Sequence, residues 1–298
     1  MSGPETAAEK PLVSIVTPSY NQGEFIADAI ESVLAQDYPR IEYMVIDGGS
    51  TDSTLDVLRR YGDRVRWTSG PDAGQSDAIH RGFAASSGKY IAWLNSDDRY
   101  VPGAISAAVD ELETNPDAAL AYGLGEFMDR DGAVIGLCRH VEPWDFKRLL
   151  GTLNFVLQPA TLFRREAYIA IGGLDTSLHY VMDYDLWIRF GSKYPVRFVP
   201  RVLAQARVYG GTKTATGGLP RLEELERVVR RNGGKRMPKN FRSEMYWELR
   251  RAIAVAAKNR QMGRASRLAI RLIPYLGGAA MWKLRRLRSR AGPPATEP

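Results

Sequence analysis

Cysteine is nearly missing from this 298-residue chain: Cys138 stands alone, which excludes an internal disulfide framework and fits a reducing compartment. Only three histidines occur, His80, His140 and His179, and their scatter offers no metal-ligand spacing, so none is assigned to zinc. No window holds 18 successive apolar residues. The nearest, Leu272 to Trp282, is short and broken by Pro274, Gly277 and Gly278, so no membrane-spanning helix is expected. The segment Met1 to Lys10 is polar and lacks the apolar stretch of a secretory signal, so a cytoplasmic location is expected. A phosphate-binding P-loop, a dinucleotide fingerprint and a serine nucleophile elbow are all missing, which removes kinase, NAD-dependent and serine-hydrolase readings. There is no internal repeat.

What is present is the composition of an ordinary globular protein, with 44% hydrophobic and 25% charged residues, and enough chain for one large α/β domain plus an appendage. The net charge of +7 conceals an asymmetry. Residues 221–298 hold 20 of the 41 basic residues and 6 of the 34 acidic ones, leaving 21 basic against 28 acidic in residues 1–220. A basic arm on a mildly acidic domain points to an anionic partner.

Over the first 125 residues, β-rich runs alternate with helical stretches, the pattern of βαβ units and a mostly parallel sheet. The runs are Val13 to Thr17, Tyr43 to Ile46, Val65 to Thr68, Tyr90 to Leu94 and Ala119 to Gly123. Polar clusters follow the first four, at residues 18–23, 47–52, 70–74 and 95–98, where the carboxyl ends of strands in open α/β sheets bind ligands. Ile26, Ile30, Val33 and Leu34 recur at helical spacing and predict a helix from Gly23 to Gln36. Farther on, Trp144 to Leu150 and Tyr184 to Gly191 read as helices, Ala160 to Phe163 as extended, and Tyr209 to Pro220 as a mobile glycine-rich loop. Leu222 to Arg231 and Ser243 to Arg260 read as helices, and Trp282 to Arg290 as a short basic segment. The expected organisation is a tail over 1–10, an α/β domain over 11–218, a basic helical extension over 219–290 and a tail over 291–298.

Residues 13–22 (VSIVTPSYNQ), 45–54 (VIDGGSTDST) and 91–98 (IAWLNSDD) resemble the family 2 glycosyltransferases of the GT-A fold. Residues 74–82 (GQSDAIHRG), Gln158-Pro159, 172–175 (GGLD) and 182–189 (MDYDLWIR) extend the resemblance, in order, across roughly Pro11 to Lys213. It implies an α/β GT-A nucleotide-diphospho-sugar transferase fold and inverting transfer of a sugar from a nucleotide-sugar donor, with a UDP-sugar favoured. The acceptor it implies is a glycan or lipid-linked saccharide of surface polysaccharide synthesis.

By that match Asp97 is the ligand of Mn²⁺ or Mg²⁺, with Asp98 beside it. Such hard cations need only one or two carboxylates when a diphosphate supplies the rest. Asn95 takes the place of the usual first Asp and is expected to bond a ribose hydroxyl, with Ser96 next to it. Asp47 matches the nucleobase carboxylate; Thr17, Pro18 and Tyr20 are expected to line the base pocket, and Asp77 to reach base or ribose. Asp183 matches the catalytic base, with Met182 in place of a Glu, while Asp185 and Asp52 read as helix-terminus residues. Tyr209 replaces a family His, so phosphate contact is expected to pass to Arg207 or Lys213. Asn95, Met182 and Tyr209 keep a second reading open, a sugar-nucleotide-binding pseudoenzyme. The basic arm keeps a third, a nucleic-acid binder, against which stand the acidic first 220 residues and the lack of a nucleic-acid module. Basic and apolar residues alternating from Arg250 onward, and above all in Trp282 to Arg290, predict peripheral contact with an anionic membrane surface on the inner face of the cell membrane, while for Ser243 to Arg260 a solvated charged face on helices packed against the catalytic domain stays equally open.

Overall fold

A computed structural model of the chain describes residues 9–276, which leaves Trp282 to Arg290 and most of both expected tails outside the described residues. Those residues form two compact units, one of residues up to 146 with 155–210, the other of 147–154 with the chain from 211 onward.

The first unit begins with β1 (Val13–Ser19), α1 (Ile26–Leu34), β2 (Ile41–Asp47), α2 (Thr54–Tyr61), β3 (Arg66–Ser69), α3 (Gln75–Ala84) and β4 (Tyr90–Trp93). It continues through β5 (Arg99–Tyr100), α4 (Ala104–Thr114), β6 (Leu120–Met128) and β7 (Val134–Leu137). The helix α5 (Phe146–Gly151) then leads into the second unit. Back in the first unit follow β8 (Thr161–Arg164), α6 (Arg165–Ala170), α7 (Met182–Lys193) and β9 (Val196–Arg207). Strands β1 to β4 run parallel in the order β3-β2-β1-β4; β8 continues the sheet antiparallel to β4 and β6, β9 lies parallel to β6, and β5 and β7 add antiparallel edges. Every residue of β1 and β4 is buried, as parallel strands covered on both faces must be.

Register puts the candidate site at one edge. Ser19 pairs with Asp47, and Asp47 with Ser69, so three strands end level, and the main chain turns off the sheet into the polar clusters there. Helix α1 starts at Ile26, later than periodicity predicts, because the Gly23 N–H donates to Asp52 and the Gln22 carbonyl takes the Phe25 and Ile26 N–H groups. Below the edge lies an aromatic core. Trp93 of β4 stacks on Trp187 of α7 at 5.8 Å with an interplanar angle of 11°, and Phe163 packs edge-on to both.

The second unit holds α8 (Lys213–Thr216), α9 (Gly218–Arg231), α10 (Arg242–Lys258) and α11 (Met262–Leu272). The loop expected from Tyr209 to Pro220 is therefore partly helical. Thr212 caps α8 by accepting from the Ala215 N–H, and α9 begins at Gly218. The unit boundary falls at residue 210, earlier than expected, and residues 147–154 join the second unit because Thr152 accepts from the Asn240 N–H.

Trp187 is fully buried, so Trp187→Ala should lower the urea-unfolding free energy by about 3–5 kcal/mol. A loss under 1 kcal/mol would mean that the indole pair does not anchor α7.

Candidate active site

Four backbone segments meet at the carboxyl edge of the parallel strands: the loops after β1, β2 and β4 and the start of α3. A fifth, the approach to α7, is joined to them by hydrogen bonds. Gln75 donates to Asn95 Oδ1 at 2.7 Å, while the next residue, Ser76, donates to the Leu178 carbonyl at 2.8 Å and contacts the Met182 sulfur. The first turn of α7 is thus tied to the end of β4, and Asp183 follows Met182 directly. Of the two α7 carboxylates, Asp185 is buried and paired with Arg189 at 2.7 Å, whereas Asp183 is partly exposed.

The acidic cluster after β4 has a clear inside and outside. Asp98 turns inward: its two oxygens accept from the Arg207 N–H at 3.0 Å and from the Asn95 amide at 2.9 Å, and it is buried. Asp97 is partly exposed and receives the Tyr209 hydroxyl at 3.3 Å. Burial raises the proton affinity of both carboxylates, and for Asp98 the neighbouring Asp97 charge adds to it. The pair therefore favours an added positive charge, and Asp97 is the member that can meet one.

Arg207 does not take the phosphate-facing role expected of it. Its side chain is 1% exposed; Nε donates to the Asp97 carbonyl, Nη1 to the carbonyls of Asp129 and Arg130, and Nη2 to Asp28 at 2.7 Å. The guanidinium also lies over the Phe25 ring at 4.8 Å, and Phe25 in turn contacts Tyr209. With four donors consumed inside the protein, Arg207 positions the acidic turn.

Several other expected contacts also face inward. Thr17 is 0% exposed and its hydroxyl pairs with that of Tyr43 at 3.0 Å, so it belongs to the core between β1 and β2. Pro18 is buried too, and its carbonyl accepts from the buried Ser96 hydroxyl at 3.2 Å, stitching the first cluster to the fourth. Asn95 spends its amide on Asp98 and Gln158 and its carbonyl on Gln75, which leaves less for a ribose than its residue type suggests. Asp47 is 1% exposed and accepts from the N–H groups of Gly49 and Ser50 and from the hydroxyls of Ser50 and Ser69, four bonds that fill a carboxylate. It organises the turn. Asp77 accepts from the Ala73 N–H and pairs with Arg81 one helical turn on. Tyr20 stands 61% exposed at the rim, and Lys213 heads α8 in the second unit.

Three groups at this edge carried no signal beyond lying in polar clusters. Asp72 accepts from the Gly74 N–H and lays Oδ2 against Gly48, where a Cβ would come within 2.8 Å of it; only glycine admits that approach. Ser19 Oγ, at the end of β1, and Gln22 Oε1, in the loop that follows, are buried without a hydrogen-bond partner. Buried polar atoms left unpaired at a strand-end crevice mark a place for a polar ligand.

Residues 14–172, more than half of the chain, match Glycosyl transferase family 2. The chain belongs to that family. An uncharacterized glycosyltransferase of Rickettsia prowazekii is 32% identical over 228 residues, covering 72% of this chain and 70% of its own length. The chondroitin synthase of Escherichia coli is 27% identical over 69% of this chain, which matches only 30% of that larger protein. Among solved structures, TarS of S. aureus, residues 1–349 in complex with UDP-GlcNAc, superposes with a TM-score of 0.64 at 13% identity, covering 89% of this chain and 81% of the other. The mannosyltransferase PcManGT of Pyrobaculum calidifontis, in complex with GDP-Man and Mn²⁺, superposes at 0.61 and 18% identity, covering 93% and 88%. The fold of this family 2 chain is therefore of the GT-A type, with a helical C-terminal region.

If Arg207 is a positioning residue, Arg207→Met should cost about 2–4 kcal/mol of stability in urea unfolding, because it strands buried carbonyls and the Asp98 turn. Unchanged stability with weakened nucleotide binding would return Arg207 to the phosphate.

Proposed function

We propose that the first unit transfers a sugar, with inversion, from a nucleoside-diphosphate sugar to a hydroxyl of a glycan or lipid-linked saccharide. The observation that carries this reading is the pair of partly exposed carboxylates, Asp97 and Asp183, on segments joined through the Gln75 and Ser76 hydrogen bonds, while Asp98 and Asp185 are buried and paired within the protein. Inversion needs one displacement. Asp183 takes the proton of the acceptor hydroxyl as its oxygen bonds the anomeric carbon, the bond from that carbon to the diphosphate oxygen breaks, and the nucleoside diphosphate leaves.

The leaving diphosphate gains charge in this step. Among the described residues no group of three or more His, Cys, Asp or Glu forms a cation cage, so a protein-only site is not on offer. A site of one carboxylate completed by donor phosphates and water does fit, since Mg²⁺ and Mn²⁺ bind with few protein ligands. Asp97 would hold the ion, with Tyr209 at its second oxygen in place of a charged ligand. The ion would supply neutralisation of the diphosphate. The Mn²⁺ complex of the mannosyltransferase supports this reading, as the UDP-GlcNAc complex of TarS supports a UDP-sugar and the chondroitin synthase a polysaccharide acceptor. Asp72, Ser19 and Gln22 join Tyr20 as the groups offered to the nucleoside, with Asp72 Oδ2 the acceptor for a ring N–H.

Asp183→Asn should leave donor affinity intact and lower the chemical rate by roughly 10²- to 10⁴-fold, the usual worth of a positioned base. A collapse of donor affinity with an unchanged rate at saturating donor would make Asp183 a binding residue. Donor binding without turnover in the wild-type chain, across UDP- and GDP-sugars and soluble glycans, would favour a pseudoenzyme.

A further inference from the structure

The second unit contains a groove lined by none of the residues assigned to the candidate active site. A cavity of about 620 Å³ opens between the start of α9 and the helices α10 and α11, a volume in the range of ligand sites. Its floor is apolar, from Leu219, Pro220, Ala252, Val255, Ala256 and Leu268. Four arginines rim it: Arg251, Arg264, Arg267 and Arg271.

Two of these are neutralised on the spot. Arg271 pairs with Glu223 at 2.5 Å and Arg251 with Glu248 at 3.2 Å. Arg264 and Arg267, one turn apart on α11, have no ion pair among the described residues; Arg264 reaches only the Gln261 amide oxygen at 3.4 Å. The groove therefore keeps an excess of two guanidinium charges over an apolar floor. Guanidinium groups match phosphate oxygens in shape and charge, and the floor calls for hydrocarbon next to that phosphate.

A free phosphate has no use for the floor, nor for the exposed apolar side chains of this region. Met262 and Ile270 on α11, and Ile273 and Leu276 just beyond it, are each more than half exposed. Among the described residues no helix is long and apolar enough to cross a membrane. Exposed apolar side chains beside arginines are the composition of a helix that lies at a membrane interface. We propose that the groove of α9, α10 and α11 binds the phosphate head group of an anionic lipid, seating this unit on a bilayer surface. The inference goes beyond the donor chemistry, and either can fail without the other.

The test is co-sedimentation of the full chain with vesicles of phosphatidylglycerol and phosphatidylcholine mixed, against phosphatidylcholine alone, at fixed ionic strength. The wild type should bind the anionic vesicles. The double variant Arg264→Gln, Arg267→Gln should partition about 25-fold less, near fivefold for each arginine. Val255→Asp, which keeps every arginine and places a carboxylate on the floor, should also weaken binding; each variant is checked for an unchanged melting temperature. Wild-type binding by both folded variants would overturn the proposal, including the case in which binding disappears only on deleting residues 277–298. Release by 10 mM (roughly, in excess of the protein) inorganic phosphate, but not by sodium chloride of equal ionic strength, would also overturn the lipid assignment in favour of a free phosphate ligand.

Discussion

The candidate active site depends on one buried guanidinium. Arg207 ends β9, and its main-chain N–H holds Asp98 while its side chain gathers the Asp97 carbonyl, two carbonyls of the turn before β7 and the Asp28 carboxylate. A charged group taken out of water has to recover its lost hydration from such partners. Arg207 recovers it from three backbone carbonyls and the Asp28 carboxylate, which is why the acidic turn after β4 has one geometry. That geometry points Asp98 in and Asp97 out, and from the distinction follows the reading of one carboxylate, completed by the donor's own phosphates.

The remainder of the edge repeats the same economy of polar groups. Asp47 is filled by its own turn, and Ser96 and Pro18 join two loops. The side chains that stay at least partly exposed are few, Asp97, Asp183, Asp72 and Tyr20, and beside them lie the buried, unpaired oxygens of Ser19 and Gln22. On the proposed function, selectivity for the donor rests on these few positions in a frame that is otherwise internally satisfied.

Much of the frame was legible in the sequence. Alternating β-rich runs and polar clusters located the strands; of the two aspartates of α7, the one read as a helix-terminus residue, Asp185, is buried against Arg189, and Asp183 is partly exposed. The direction of individual side chains was not legible. Thr17 sits in a strand buried on both faces, where alternation carries no inside and outside, so nothing in its neighbours betrays that it pairs with Tyr43. Asp47 and Asp98 look like their ligand-binding counterparts in residue type, and only the donors brought by distant segments, Ser69 and Arg207, reveal that they are occupied. Asp72 was hidden for the opposite reason: its place against Gly48 comes from the packing of two loops 24 residues apart, and no spacing rule encodes it. The capped turn at Thr212 likewise lay within a stretch whose glycines suggested only a loop.

The central claim is that Asp97 is the outward carboxylate through which a divalent ion and a nucleotide sugar are held together. The most direct measurement is the thermal unfolding midpoint of the wild type and Asp97→Asn, with UDP-GlcNAc and GDP-mannose, each with and without Mn²⁺, since a ligand bound only to the folded state raises that midpoint. At least one donor should raise the wild-type midpoint more with Mn²⁺ than without it, and the Mn²⁺-dependent part should vanish in Asp97→Asn. A variant that keeps the full Mn²⁺-dependent rise would contradict the account.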